Sequence, residues 1–127
     1  MVSENRPEWL ISDIAIMLAN GITVPAYTTY TEKDYKYLIE DCQPSVIIVS
    51  NDEMHDKLKN IIDEKSFIRK VITFEKIQEV DYKNKYLDFN SITKSNLQES
   101  DKIKNSSLKR NSPACVIYTS GTGGNPK

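Results

Sequence analysis

The sequence predicts an α/β fold, a partial doubly wound parallel sheet with flanking helices. Three observations predict it. Val46-Ile47-Ile48-Val49 and Val71-Ile72-Thr73-Phe74 are short runs rich in β-branched residues, the pattern of strands covered on both faces. Stretches with apolar residues at i, i+3, i+4 and i+7 lie before and between them, the pattern of amphipathic helices. The two kinds of segment alternate, as they do where crossover helices join parallel strands. A chain of 127 residues is one domain or less and can bury about two-thirds of the surface its unfolded form exposes.

The first element is a helix. Asn5 is the expected N-cap, Pro7 fits the first turn, and Glu8 suits the positive end of the helix dipole. Trp9, Leu10, Ile14, Met17 and Leu18 recur at helical spacing, and Ile11, Ala15, Ile16 and Ala19 widen the apolar face. Such a helix is expected to be buried on more than one side. Asn20-Gly21 ends it, with Gly21 available for the left-handed position. Ile22 to Tyr27 reads as a short strand. Met1-Val2-Ser3 reads as the last residues of an earlier strand, on which the first helix would pack.

Thr31 with Asp34 three residues on resembles a capping box and opens the second helix. Its buried stripe is Tyr35, Leu38, Ile39 and Cys42, and Pro44 stops it. The strand Val46–Val49 follows, then a third helix capped by Asn51 or Asp52, with Met54, Leu58, Ile61 and Ile62 inward. Val71 to Phe74 is the next strand, and right-handed crossovers are expected throughout.

Residues 1–74 therefore read as α/β units. From Glu75 to Pro113 charged residues, Asn and Ser dominate, and Tyr82, Tyr86, Leu87, Phe89, Ile92, Leu97 and Ile103 keep no firm period. That stretch, 75–113, reads as a polar surface excursion with a short helix around Asn90 to Gln98 and satellite aromatic packing. Residues 114–127 read as a strand, Ala114 to Thr119, followed by a phosphate-binding loop.

Composition narrows the function. Lys plus Arg is 17 against 18 Asp plus Glu, a net of −1, which lacks the clustered positive excess of a nucleic-acid arm. No apolar run approaches the ~20 residues of a membrane span, so no transmembrane segment is expected. The N-terminus lacks the basic start and apolar stretch of a secretory signal. Cys42 and Cys115 have no framework spacing and read as reduced, buried side chains of a cytoplasmic protein. His55, the one histidine, sits among Asp52, Glu53, Asp56 and Lys57 and reads as an exposed helix position. It has no neighbouring ligand for zinc, and no metal site is expected.

Chemistry concentrates in Tyr118-Thr119-Ser120-Gly121-Thr122-Gly123-Gly124-Asn125-Pro126-Lys127. A buried strand runs into hydroxyl residues, three glycines and a lysine. Glycines let backbone N–H groups approach anion oxygens and reach positive φ. Thr119, Ser120 and Thr122 add hydroxyl donors, and Lys127 adds a point charge. Loops at the carboxyl ends of strands are where open α/β sheets bind ligands. The spacing fits neither G-x-x-x-x-G-K-[ST] nor G-x-G-x-x-G. On composition alone, a flexible glycine turn is an equally good reading.

The longer motif resembles a known family. Y-T-S-G-T-G-G-N-P-K is similar to the signature Y-T-S-G-T-T-G-x-P-K of adenylate-forming enzymes, with Gly123 where Thr is usual. Ser3-Glu4-Asn5-Arg6-Pro7-Glu8-Trp9 and Gly21-Ile22-Thr23-Val24-Pro25-Ala26-Tyr27 resemble the long-chain fatty acyl-CoA synthetase branch. The likeness is strongest at the two ends of the chain and weakest between Glu75 and Pro113. Arg6 and Trp9 are read as structural.

The resemblance implies a two-step reaction. A fatty carboxylate attacks the α-phosphate of ATP, giving acyl-adenylate and pyrophosphate. CoA thiol then attacks the acyl carbonyl and releases AMP, with Mg²⁺ assisting at the phosphates. By position, Thr119, Ser120 and Thr122 would supply hydroxyls to the ATP phosphates, Gly121, Gly123 and Gly124 backbone amides, and Lys127 charge. ATP, Mg²⁺, CoA and a fatty acid are the implied co-substrates and partners, with peripheral membrane association left open. The magnesium carboxylate, acyl tunnel and catalytic lysine lie downstream in the family, so no catalytic residue is expected within this chain. The chain reads as an incomplete part of the large N-terminal domain of an adenylate-forming enzyme, starting inside an early strand and inactive alone. Two alternatives stand beside this: an adenylate-forming enzyme acting on acetate, an aryl acid or an amino acid, and a non-catalytic small α/β phosphate-binding module.

Overall fold

Six extended segments of the chain lie side by side and parallel, and helices make most of the connections between them. The computed structural model describes residues 1–95 and 109–119. Its elements are α1 (Pro7–Leu18), α2 (Glu32–Cys42), β1 (Val46–Val49), α3 (Asp52–Asp56), α4 (Lys59–Glu64), β2 (Lys70–Thr73), β3 (Tyr86–Asp88) and α5 (Phe89–Lys94). β1 pairs with β2 through Ile47 and Val71, and β2 pairs with β3 through Val71 and Tyr86. Single-residue parallel bridges widen the sheet beyond β1: Val2 joins Val49 to Ala26, and Thr23 joins Cys115. Across the sheet the order is Cys115, Thr23–Ala26, Val2, β1, β2, β3. From Val2 the chain steps outward to Ala26, then returns past Val2 to β1. This reversal is the mark of a doubly wound sheet.

The reversal also explains the reading of Met1-Val2-Ser3 as a strand end. Val2 donates its N–H to Ile48 O at 2.8 Å and accepts from Ser50 N at 3.2 Å. The regions read as strands at Ile22–Tyr27 and Ala114–Thr119 are corrected to extended chain holding single bridges. Thr23 donates to Ala114 O at 3.1 Å and accepts from Val116 N at 2.9 Å, and the ladder stops there.

The core lies on one face of the sheet. Tyr35, Leu38 and Ile39 of α2 and Ile61 and Ile62 of α4 meet Ile47, Val49 and Val71. The capping box at α2 forms as the sequence predicts: Asp34 N donates to Thr31 Oγ1 at 3.4 Å, and Thr31 N donates to Asp34 Oδ2 at 2.9 Å. Asn51 Oδ1 caps α3 by accepting from Met54 N at 3.1 Å. The predicted third helix is two short ones, because the chain tightens where Leu58 N–H donates to His55 O at 2.8 Å. Val46 is exposed while Ile47, Ile48 and Val49 are buried, so coverage of that strand is incomplete.

Helix α1 corrects an expectation. Ser12 is its buried residue, and Leu10, Ile11, Ile14 and Leu18 are exposed, Leu10 at 57%. A groove of about 770 Å³ opens between α1 and the sheet, lined among others by Ile11, Ile16, Ile48, Ile72, Phe89 and Ile92. Its N-cap is Arg6 in extended conformation, not Asn5. At its far end Asn20, not Gly21, takes the left-handed conformation with φ 60°. Gly21 is needed for a close approach: its N–H donates to Ile16 O at 2.8 Å, and a Cβ there would stand 3.0 Å from Ile16 Cγ2.

The stretch 75–113 contains α5, at the start of the helix expected around Asn90 to Gln98, and the unexpected strand β3. Tyr86 joins the core cluster, with Tyr82 packed against it, so these aromatics are core rather than satellite. Tyr82 Oη binds Thr73 Oγ1 at 2.9 Å and accepts from Ile77 N at 2.8 Å, which ties the turn after β2 to the sheet. Cys42 is half-buried, and its burial pushes the thiol pKa up; Cys115, expected to be buried, is exposed. Both are free thiols. Among the described residues no helix is long and apolar enough to cross a membrane.

Candidate functional site

Ligands of doubly wound sheets bind at the carboxyl ends of strands, beside the point where the winding reverses. Here that point lies between Val2 and β1. The residues leaving its carboxyl edge are Ser3 and Glu4 on one side and Ser50 and Asn51 on the other. Asn51 Nδ2 donates to Glu4 Oε1 at 3.4 Å, linking the two. Hydrogen bonding from its own backbone N–H holds the Glu4 carboxyl below its usual range. Ser50 Oγ is buried without a hydrogen-bond partner among the described residues.

The segment 114–119 runs parallel to the sheet, because its bridge to Thr23 is parallel. Thr119 therefore lies toward the same carboxyl edge, and it is exposed. Ser120, Gly121, Thr122, Gly123, Gly124 and Lys127, the rest of the predicted phosphate loop, lie outside the described residues. What the structure describes is how the approach to that loop is held. Tyr118 is buried at 7% exposure, and its hydroxyl donates to Asp41 Oδ2 of α2. Burial first, and then the hydrogen bond to Asp41, push its phenol pKa up. The segment thus has two anchors, the Thr23 ladder and the α2 carboxylate. Sequence spacing gave no sign of the second, since the two residues are 77 positions apart.

Arg6, read as structural, sits at the same edge. Its Nε donates to Glu8 Oε2 at 2.9 Å, and Nη1 donates to Glu75 Oε1 at 2.8 Å. Its guanidinium carbon stands 5.5 Å from the centroid of the Phe74 ring. These contacts raise the Arg6 pKa, with the hydrogen bond to Glu8 first, and lower that of Glu8. The fork fixes the start of α1 to the carboxyl end of β2, a role that needs planar, two-sided donation.

His55 corrects the sequence reading. It is buried at 3% exposure, not exposed. Its Nε2 lies 2.9 Å from Tyr86 Oη, with the rings edge to face at 5.5 Å. Its charged sequence neighbours point outward while the imidazole joins α3 to β3. Burial pushes its pKa down and that of Tyr86 up. The signal missed was a partner 31 residues away, in a stretch whose strand was itself not recognised. Among the described residues no group of three or more His, Cys, Asp or Glu side chains converges as a metal site.

A parallel, doubly wound sheet that leads a tyrosine-anchored segment to its carboxyl edge defines the class of an α/β protein whose ligand edge lies at the carboxyl ends of its strands. The sequence profile of AMP-binding enzymes matches residues 1–127, and the chain belongs to that family. It is 31% identical over 127 residues to the long-chain-fatty-acid–CoA ligase ACSBG2 of Xenopus laevis, covering 97% of this chain and 17% of the Xenopus protein. It is 32% identical to ACSBG2 of Gallus gallus, covering 97% and 16%. The chain thus spans less than a fifth of the length of these curated relatives. Among solved structures, the luciferase-like enzyme of the mealworm Zophobas morio superposes with a TM-score of 0.78 at 20% identity, over 99% of this chain and 28% of that one. A red-emitting luciferase of Phrixothrix hirtus superposes at 0.70 and 20%, over 99% and 24%. These two likenesses establish the fold, which the chain shares with part of each of those luciferase-like proteins.

Proposed function

We propose that this chain is a segment of an AMP-forming long-chain fatty acid–CoA ligase, and that it supplies the loop holding the ATP phosphates. The observation that carries the reading is the sequence from Tyr118 to Lys127, set after a segment that runs parallel to the sheet toward its carboxyl edge. The names of the relatives support the acid, a long-chain fatty acid, and the thiol, CoA. In this reading Thr119, Ser120 and Thr122 donate hydroxyl hydrogens to phosphate oxygens. Gly121, Gly123 and Gly124 donate backbone N–H groups, and Lys127 offsets charge on the departing pyrophosphate. Tyr118 and Asp41 keep the start of the loop in place. We propose a cytoplasmic location for the enzyme, a reading that unpaired Cys42 and Cys115 support.

The test is fatty-acid-dependent exchange of pyrophosphate into ATP by the full-length protein that carries this segment. Lys127→Ala is expected to lower the exchange rate by on the order of 10²-fold. The isolated 127 residues are expected to show no exchange. Exchange driven by acetate, aryl acids or amino acids but not by a long-chain fatty acid would overturn the substrate. A Lys127→Ala enzyme as fast as the parent would overturn the role of the loop.

A further inference from the structure

We propose a second anion site at the amino edge of the sheet, opposite the edge of Thr119, that takes a phosphate monoester group. A pocket of about 510 Å³ lies there, formed by the end of α4, the turn into β2 and the turn into β3. Its walls carry five cations, Lys65, Arg69, Lys70, Lys83 and Lys85, against two carboxylates, Asp63 and Glu64. The chain as a whole has a net charge of −1, so this local excess departs from the average surface.

Three of the five cations are held in place. Lys65 Nζ meets Glu40 Oε1 at 2.7 Å and Glu64 Oε1 at 3.8 Å. Lys70 Nζ donates to Asn84 O, and Lys85 Nζ donates to Ile62 O. The carbonyl partners fix the Lys70 and Lys85 ammonium groups without cancelling their charge, whereas Lys65 is matched by carboxylates. The carboxyl end of α4 faces this region with the negative end of its dipole, and Lys65 and Lys85 offset it. Arg69 and Lys83 remain exposed, and neither has an ion-pair partner among the described residues. A guanidinium fork donates to two oxygens of a phosphate, and a lysine donates to a third. Ser66 and Asn84 line the same pocket and carry further hydroxyl and amide donors. A monocarboxylate has one charge and two acceptor atoms, too few for this array. A dianionic phosphate has two charges and three oxygens. The same group occurs on a soluble phosphorylated metabolite and on a phosphatidic acid headgroup.

The experiment uses the full-length protein and its Arg69→Gln/Lys83→Gln variant, at constant ionic strength in chloride. Binding of inorganic phosphate is measured by calorimetry, and co-sedimentation is measured with phosphatidylcholine vesicles with and without phosphatidic acid. The double variant is expected to lose a phosphate-binding component by on the order of 10²-fold in affinity. Its ATP–pyrophosphate exchange is expected to stay unchanged, which separates this site from the glycine loop and shows that the variant folds. Phosphate binding without vesicle binding assigns the site to a soluble phosphomonoester. Sedimentation by phosphatidic acid that the variant loses assigns it to the lipid headgroup. Equal phosphate affinity in both proteins, or no phosphate binding at all, overturns the proposal.

Discussion

Helices α1 and α2 are close in length and opposite in behaviour. α1 is largely apolar, PEWLISDIAIML, yet Ser12 is the residue it buries. α2 is EKDYKYLIEDC, charged at six of eleven positions, and it buries Tyr35, Leu38 and Ile39. The difference teaches that phase, not apolar content, decides burial. Charges confine the apolar residues of α2 to one stripe, so one rotation satisfies it. α1 has apolar residues on most sides, so any rotation against a single sheet leaves some exposed. α2 is also tied from several directions: Tyr35 Oη donates to Tyr27 O at 2.7 Å, Glu40 meets Lys65, and Asp41 meets Tyr118. α1 is held at its start by the Arg6 fork.

Substitutions break this comparison most sharply in the core that α2 and α4 share. Ile62→Ala removes a side chain with no exposure and is expected to cost about 2–5 kcal/mol in urea unfolding. Leu10→Ala on the outer face of α1 is expected to stay within about 0.5 kcal/mol. Equal costs would show that the face of α1 is covered. Thr31→Ala, which removes the cap of α2, is expected to cost about 1 kcal/mol, and Thr31→Ser to restore most of it.

Acidification sharpens the comparison on the α3–β3 side. Tyr86 of β3, Asp52 and Asp56 of α3, and Lys59 and Asp63 of α4 surround His55. Burial holds the imidazole below its ordinary value of 6.5, so it stays neutral in the fold while the unfolded chain takes up a proton first. Stability is then fully present above about pH 6.5 and falls as pH drops from there toward the folded pKa. His55→Gln is expected to remove that fall from the melting profile between pH 7 and pH 5 (about the range where histidine titrates). A profile unchanged by the substitution would exclude the buried imidazole as its cause. A small effect is also expected from Glu75→Gln, which breaks the more exposed arm of the Arg6 fork. It should cost roughly 0.2–1 kcal/mol and less at high salt.

Much of the α/β pattern was legible because it is local. The capping box at Thr31, the stripe of α2 and the strands β1 and β2 are written in neighbouring residues. The strand β3 was not, because Tyr86-Leu87-Asp88 is too short to show a period and gains its partner from β2. The candidate site divides in the same way. The signature from Tyr118 to Lys127 is contiguous, so its chemistry could be read directly. The anchors Asp41–Tyr118, His55–Tyr86 and Arg6–Glu75 join residues 77, 31 and 69 positions apart, and no local spacing announces them.

The sequence by itself determined the caps at Thr31 and Asn51, the apolar stripe of α2, the β-branched strands and the glycine-hydroxyl-lysine motif, because these depend on backbone preference and on residues within a turn or two of each other. Only the tertiary structure decided which helix is buried, where Val2 reverses the winding of the sheet, and which cations gather at its amino edge. Those depend on what the folded chain places opposite each residue, and that is set by packing between segments far apart in sequence.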